Sequence, residues 1–426
     1  MFRIPVVVPL SLMAITIAVL SQAPAAAAAL SLKDCLEMAL RSNPALKVAT
    51  HDSSIQAENV ALAESGYLPK IDLQAGYSGL VDPQAIKTAG GNFQTQQPDF
   101  AYASIGVYHT LYDFGRRGSR KEQALHRESA AASAISAVRQ DISLQVINSY
   151  YAILQSLKLV DVARDETAQR EQHLKMATTL HEQGVTTRND LLQAEVKLTA
   201  SRQKLLAVNN QLSNSWLLLN YLTGSPPEFR AILSEEELAA PQTPPANSSV
   251  GKRDEIAAQK SLIQAGEASV EESREEFYPE IFVRAGIDYL QNNKAVEQTM
   301  VGATVGLKIN LFDGMATTSR QRQAVKLLEK EKDRLKEIEE LYRLEIQTAQ
   351  NDLTVARERI ELTRSAIRQS EENLRINNDR YKAQIGTATE VIDAQTLLSQ
   401  TRSDHYQALF DYQVARARVQ RAAGEL

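Results

Sequence analysis

The sequence predicts a mainly α-helical chain built as two copies of one unit, and two long stretches that are poor in glycine and proline carry this prediction. The stretches 118–224 and 314–424 contain no proline, and each has one internal glycine, Gly184 in the first and Gly386 in the second. Because glycine and proline are the strongest helix breakers, such a pattern is typical of two antiparallel helices joined by a turn. We therefore expect two long helical hairpins.

The spacing of capping residues fixes where the second helix of each hairpin begins. Thr187 and Asp190 have the spacing of a capping box, and Thr387 and Glu390 repeat it 200 residues later. The predicted hairpin tips lie near 184–190 and 384–390.

Composition and charge limit the class of protein. Residues 1–28 combine Arg3, an apolar run and a row of alanines, the pattern of a secretory signal peptide that is removed. The formal net charge of −5 offers no basic surface, so we expect no nucleic-acid partner. Cys35 is the only cysteine, which excludes a disulfide framework, and its apolar helix face predicts plain packing.

The first structural repeat is predicted to span 29–224. Ser31 and Asp34 form a capping box for a short helix, and a second helix follows from about 45 to 65. Alternating apolar and polar residues then predict strands over about 70–80 and 100–112, joined by a polar loop. A further capping box, Ser119 with Glu122, predicts the start of the first long helix.

A proline-rich joint over 225–252, with room for one short helix, separates this repeat from a second one. The second structural repeat, 253–426, is predicted to contain a helix, strands over about 280–290 and 300–312, and the second hairpin. The two strand pairs end in LYDFG and LFDG, 200 residues apart. The second long helix carries a sustained seven-residue repeat, which predicts coiled-coil packing; its positions are Ile346, Leu353, Ile360, Ile367, Leu374 and Tyr381.

The strands have the length and the one-sided apolar pattern of outer-membrane strands. Open sheet edges are not tolerated in lipid, and membrane barrels need about eight strands or more, so four strands per chain require several chains. Three chains would give a 12-stranded β-barrel above a helical tube, which is a channel rather than an enzyme. A soluble, half-buried sheet is the alternative for the strands alone.

Several motifs in fixed order carry a resemblance to a known family. The order NPAL (43–46), GYLPKI (66–71), LYDFG, hairpin, proline-rich joint and LFDG resembles the TolC-like outer membrane factor family over nearly all of the mature chain. The resemblance implies a homotrimer in the outer membrane of a Gram-negative bacterium, with a β-barrel continuous with a periplasmic α-helical barrel. It also implies a passive exit duct of a tripartite efflux pump or type I secretion system.

The partners implied by the resemblance are a periplasmic adaptor (membrane fusion) protein, an inner-membrane transporter and outer-membrane lipid. The alternative function is a soluble periplasmic coiled-coil scaffold or adaptor protein. No catalytic motif, metal site or cofactor site is expected, and drugs, metals, lipids and proteins all stay open as cargo.

The resemblance also implies roles for individual residues. Glu390 and Asp393 match the acidic rings that narrow the entrance in that family. Tyr381 and Asp190 match a gate contact between the hairpins, while Gly386 replaces the arginine usual in the second hairpin. The tips imply docking positions for the adaptor, which are Gly184, Val185, Thr186, Ile385, Gly386 and Thr387.

Overall fold

The structure is a computed structural model, and it describes residues 29–235 and 253–426. The predicted signal peptide, 1–28, and most of the proline-rich joint, 236–252, lie outside the described residues. The elements in chain order are α1 Leu32–Ser42, α2 Pro44–Ser65, β1 Lys70–Gly79, β2 Ala85–Thr88, β3 Gly91–Gln94, β4 Asp99–Tyr112, α3 Arg116–Glu182, α4 Arg188–Thr223, α5 Asp254–Glu275, β5 Glu280–Leu290, β6 Thr299–Lys308, α6 Ala316–Lys382 and α7 Ala388–Ala423.

The first two helices meet at a capped corner. The Ser31 and Asp34 capping box is present at α1, as predicted. The Asn43 side chain caps α2 by accepting from the Ala45 amide, and its amide group donates to the Leu222 carbonyl at the end of α4. Asn43 therefore joins the start of the chain to the end of the first hairpin.

Strands β1, β4, β5 and β6 form one antiparallel sheet in that order. The register aligns apolar residues across all four strands, for example Leu73, Ile105, Ile287 and Val301, each of which is exposed on the isolated chain. The opposite face carries polar residues and glycines together with some apolar side chains, such as Phe282. Within the described residues β1 and β6 are edge strands, so the sheet of a single chain is open on both sides.

Two details of this region differ from the sequence-based expectation. The predicted polar loop contains the hairpin β2–β3, because the Gly90–Gly91 turn lets two four-residue strands pair. Strand β6 ends at Lys308 rather than near 312. Within the described part of one chain its partner strand β5 begins at Glu280, directly opposite Lys308, and β6 ends where that pairing ends.

The first long helix begins earlier than predicted, and the Ser119–Glu122 capping box was wrong. Helix α3 begins at Arg116 after Gly115, whose φ of 110° is left-handed, and the Asp113 carboxylate accepts from the Arg117 amide at 3.0 Å. At α6 the Asp313 carboxylate accepts from the Thr317 amide at 2.9 Å. The aspartates of LYDFG and LFDG are therefore the residues that stabilise both helix starts.

Both hairpins pair a 67-residue helix with a 36-residue helix. At 1.5 Å per residue the longer helices measure about 100 Å. The capping boxes at Thr187 and Thr387 are both present, as predicted. In the first turn the left-handed residue is Gly184, whereas in the second it is Gln384; Gly386 sits two residues later, where a Cβ would lie 3.0 Å from Arg380 Cβ.

Helix α3 lies at the centre of the helical part, where it packs against α2, α4, α5 and α7. One core surrounds Tyr150 and Leu154, where α1, α3, α4 and α7 meet. A second core follows the seven-residue repeat of α6, with Leu353 and Ile360 packed against α7. The predicted repeat is thus the seam between the two helices of the second hairpin.

The described part of the joint, 225–235, contains no helix and instead forms one β-bridge between Leu233 and Leu30.

Near the C-terminal end of α7, the guanidinium of Arg421 contacts Asp141 of α3 and Glu255 of α5. Among the described residues, every helix is too short or too polar to cross a membrane as a helical span.

Candidate functional site

The two hairpin tips lie at the end of the helical part away from the sheet, and they expose apolar side chains. Val185 is 55% exposed and Ile385 is 70% exposed. The other predicted docking residues, Gly184, Thr186, Gly386 and Thr387, lie in the same two turns. The tips thus offer two similar apolar points framed by threonines.

The carboxylate of Asp190 at the first tip is engaged in the turn itself. The Asp190 carboxylate accepts from the hydroxyl groups of Thr186 at 2.7 Å and Thr187 at 2.8 Å. These hydrogen bonds, Thr186 first, lower the pKa of the Asp190 carboxyl. Asp190 is therefore ionised at neutral pH.

The two predicted ring residues of the second tip differ in their surroundings. The Glu390 carboxylate accepts from the Thr387 amide at 3.2 Å and lies 3.5 Å from the Arg380 guanidinium. Asp393 is exposed one helical turn further along α7. Glu390 is thus partly neutralised within its own chain, and Asp393 carries the less compensated charge.

Tyr381 reaches the first hairpin through a ring contact. Its ring centroid lies 5.9 Å from that of His173, which is buried in α3. Burial, followed by the negative charge of Asp190, raises the pKa of the Tyr381 hydroxyl. The Asp190 hydrogen bonds in the described part of the chain go to threonines, and the effect of Asp190 on Tyr381 is that its charge disfavours ionisation of the hydroxyl.

His173 is held neutral in this contact. Burial, followed by the positive charge of Arg170, lowers the pKa of its imidazole. Its Nε2 has no hydrogen-bond partner among the described residues. A cavity of about 310 Å³ lies beside it between α3, α6 and α7, lined by residues that include Gln172, Met176 and Gln395.

A buried polar cluster that the sequence did not reveal joins the two hairpins next to this cavity. The Arg170 guanidinium, 3% exposed in α3, donates to Gln395 Oε1 at 2.8 Å, Thr396 Oγ1 at 2.7 Å and the Ile392 carbonyl at 3.3 Å. All three acceptors belong to α7. We call this cluster, together with Glu166, Lys204 and Ser399, the Arg170 network.

Glu166 is the charged partner inside the network. Its carboxylate accepts from Ser399 Oγ at 2.6 Å and from Lys204 Nζ at 2.9 Å, and it lies 3.8 Å from the Arg170 guanidinium. Burial alone raises the pKa of Glu166, but these hydrogen bonds and the charges of Lys204 and Arg170 outweigh burial and lower it. Three helices, α3, α4 and α7, therefore meet at one ionised carboxylate.

The sequence contained a signal for this network that we did not use. A buried seven-residue stripe of α3 consists of small residues interrupted by one arginine: Ser149, Ser156, Ala163, Arg170 and Ala177. A lone arginine on such a stripe requires acceptors from a neighbouring helix. The second copy has Ser370 at the matching position.

No group of residues suited to hold a metal ion occurs within 29–235 and 253–426. Such a site is therefore not part of the described geometry. The tips carry acidic side chains, and the Arg170 network joins the helices next to them.

Comparison with known proteins assigns this architecture. The family described as "Outer membrane efflux protein" matches residues 35–225 and 247–425. Protein CyaE of Bordetella pertussis is 23% identical, with 93% of this chain and 84% of the relative covered. Outer membrane protein TolC of Vibrio cholerae is 22% identical, with 93% and 91% covered. The crystal structure of the outer membrane protein VceC from Vibrio cholerae superposes with a TM-score of 0.80 at 17% identity, covering 92% of this chain and 96% of that one.

Proposed function

The chain belongs to the outer membrane efflux protein family, and on that premise we propose that three copies form a passive exit duct. It is a protein of the outer membrane of a Gram-negative bacterium. The duct would serve a tripartite efflux pump or a type I secretion system and would open when a periplasmic adaptor and an inner-membrane transporter dock. Residues 29–224 and 253–426 would be its two structural repeats, joined by 225–252.

The open sheet supports assembly. Strands β1 and β6 are its edges, and one face is apolar across all four strands. Unpaired backbone groups are not stable in lipid, so β6 of one copy would pair with β1 of the next until the sheet closes. Three copies would supply twelve strands, a size that membrane barrels adopt.

The observation that carries the proposal is a helix face in the first repeat that is exposed, although the matching face in the second repeat is packed against another helix. Helix α5 packs against α3 of the preceding repeat and α6 of its own, whereas the main packing partner of α2 among the described residues is α3 of its own repeat. Residues of α5 correspond to those of α2 with numbers 210 lower. Buried Ala265 of α5 therefore matches Ile55 of α2, which is 55% exposed.

The same stripe continues along α2. Val48, Ile55 and Leu62 recur every seven residues and are 59%, 55% and 71% exposed. Glu272, the match of Leu62, accepts from Arg120 of α3 at 2.8 Å. In the second repeat α5 packs on α3 of the preceding repeat. By this correspondence the exposed stripe of α2 would pack on α6 of a neighbouring copy.

The return helices repeat the argument. Ile392 and Ala417 of α7 are each 3% exposed in a helix that packs against α3 and α6, while their counterparts in α4, Leu192 and Leu217, are 47% and 45% exposed. Helix α4 would therefore contact α6 of the neighbouring copy. Each copy would then make with its neighbour the contact that its two repeats make with each other. Such a heterologous interface generates a ring when the rotation closes.

The tips would form the periplasmic entrance of this ring. Glu390 and Asp393 of three copies would place six acidic groups around the lumen, which favours cations over anions. Tyr381 and Asp190 would contribute to closure, and the apolar tip residues around Gly184 and Gly386 would dock the adaptor.

Separation of inner and outer membranes, followed by native mass spectrometry of the detergent-extracted protein, tests the proposal. We expect the protein in the outer membrane fraction with the mass of three chains, and pores when it is added to planar lipid bilayers. A soluble monomer, or a trimer that never conducts, would contradict it.

A further inference from the structure

Because the chain contains two similar hairpins, contacts that occur in both can be distinguished from contacts that occur in only one place. Arg202 pairs with Glu171 at 2.8 Å in the first hairpin, and Arg402 pairs with Glu371 at 2.9 Å in the second, with numbers 200 higher. The capping boxes at the two tips repeat in the same way. Contacts found in both copies serve the hairpin itself.

The Arg170 network has no such counterpart. The positions 200 residues after Glu166 and Arg170 are Ala366 and Ser370. The Ser370 hydroxyl donates to the Ala366 carbonyl at 2.8 Å within its own helix. The network is therefore not required for a hairpin to fold, and it specifically joins the two hairpins of one chain.

The network also marks a change in how the hairpins pack. On the sheet side the contact is tight, with the rings of Tyr151 and Phe410 at 6.3 Å and Arg421 paired with Asp141 at 2.7 Å. On the tip side lie the cavity and the His173 imidazole with its unpartnered Nε2.

From Arg170 to the end of α3 at Glu182 there are twelve residues, or about 18 Å of helix. Separation of α7 from α3 along this segment would expose Ala177 and Val391, which are buried there, and would open the cavity to water. Separation at Arg170 itself would in addition break three hydrogen bonds from a charged group, which are stronger than neutral ones.

We infer that the Arg170 network sets the upper limit of the segment of each chain that moves when the entrance opens. On the tip side of the network α7 can leave α3, and on the sheet side the two hairpins stay together. Arg170 is thus a positioning residue, which acts through α7 on the acidic groups near the tip. This inference rests on the proposed function, because only a tube with a moving entrance has such a limit.

Hydrogen–deuterium exchange of the detergent-extracted full chain measures this limit. In the wild type we expect fast exchange in α7 only from Ala388 to Val391 and slow exchange from Ile392, the first residue that accepts from Arg170, onwards. In Arg170→Met the fast region should extend towards Phe410. The matched control, Arg202→Met, removes the repeated surface pair and should leave the boundary in place.

Cross-linking shows whether the Arg170 network acts as a clamp, which means that it holds α7 against α3, or whether its loss only lowers the overall stability. The test uses Arg170→Met on a Cys35→Ala background, with cysteines introduced at Asp165 and Arg402, whose native side chains lie 3.8 Å apart. A short bifunctional thiol-reactive cross-linker would join the two cysteines. The cross-link should move the exchange boundary back towards Ile392 and reverse a severalfold rise in single-channel conductance. Reduced wild-type protein with the same cysteines is the reference.

An unchanged boundary in Arg170→Met, or a cross-link that does not restore it, would overturn the inference. Should Arg170→Met fail to assemble, the milder pair Glu166→Gln with Thr396→Val gives the same test. Exchange does not depend on conduction, so a protein that shows the boundary shift but forms no pores would contradict the duct and not the clamp.

Discussion

Arg170 Nη2 donates to Thr396 Oγ1 at 2.7 Å, a bond that joins residues 226 positions apart in the sequence. It links the first hairpin to the second between a buried residue of α3, Arg170, and an exposed residue of α7, Thr396. Charge-assisted bonds of this kind are stronger than neutral ones, and they require that the charge be compensated. Glu166 provides that compensation.

Glu166→Gln should lower the stability of the helical part by on the order of 3 kcal/mol, the typical effect of breaking a buried ion pair. Since the folded state lowers the pKa of Glu166, its contribution is present above the ordinary pKa of 4.5 and is lost as pH falls below it. Thermal unfolding at pH 7 and pH 4 measures both effects. Glu171→Gln, in an exposed pair, is the control, and an equal loss in both variants would contradict the prediction.

Glu255 should give the larger acid sensitivity. Burial by itself raises its pKa, but hydrogen bonds from Arg253 and Arg421 outweigh burial and bring the pKa to about 2. A shift from 4.5 to about 2 corresponds to about 3 kcal/mol of stability, present above pH 4.5 and lost progressively towards pH 2.

The difference in unfolding free energy between wild type and Glu255→Gln should therefore shrink as the pH is lowered through this window. Glu267, in an exposed pair with Lys332, supplies the control substitution Glu267→Gln. A difference that is constant from pH 6 to pH 3 would show that Glu255 is not held ionised by its partners.

Gly115→Ala should destabilise the junction of sheet and helix more than Gly314→Ala does. Both glycines have positive φ, 110° and 67°, which costs a non-glycine residue about 1 kcal/mol. At Gly115 a Cβ would also meet the Glu275 carboxylate, which would have to move, whereas at Gly314 nothing lies within 4 Å of the Cβ position. The thermal midpoints of the two variants, measured side by side, should differ in that order, and equal midpoints would exclude the clash.

Asp393→Asn should reduce cation preference more than Glu390→Gln does. The Glu390 carboxylate lies 3.5 Å from the Arg380 guanidinium and also caps its helix, while Asp393 is exposed. Reversal potentials in a salt gradient across planar bilayers report the preference. The reverse order, or no change in the double variant, would remove both residues from the selectivity of the channel.

The sequence was sufficient where local patterns decide the structure. Capping boxes at Ser31, Thr187 and Thr387 were predicted and are present, and so were the seven-residue seam of α6 and the four long strands. The start of α3 was misplaced because Gly115 adopts a left-handed φ that lets Asp113 act as the cap. A capping motif inside a helix leaves no trace in sequence that distinguishes it from a real one.

The site was less accessible to sequence reasoning, since its bonds cross between hairpins. Arg170 finds its acceptors on α7 and Glu166 finds Lys204 on α4, pairings that depend on how three helices align. The ring and gate roles of Glu390, Asp393, Tyr381 and Asp190 came from the family resemblance and stay predictions.

The central claim, a closed ring of three chains, is tested most directly by cross-linking at a contact that the duplication specifies. Ser129 and Ser261 of one chain lie with their Oγ atoms 3.3 Å apart between α3 and α5. The matching between-chain positions are Glu329, 200 residues after Ser129, and His51, 210 residues before Ser261. Cysteines at Glu329 and His51, on the Cys35→Ala background, should oxidise to a covalent trimer on a non-reducing gel, whereas cysteines at Ser129 and Ser261 should give only cross-linked monomer. If the first pair yields monomer alone, or an open ladder beyond three chains, the ring as described here is contradicted.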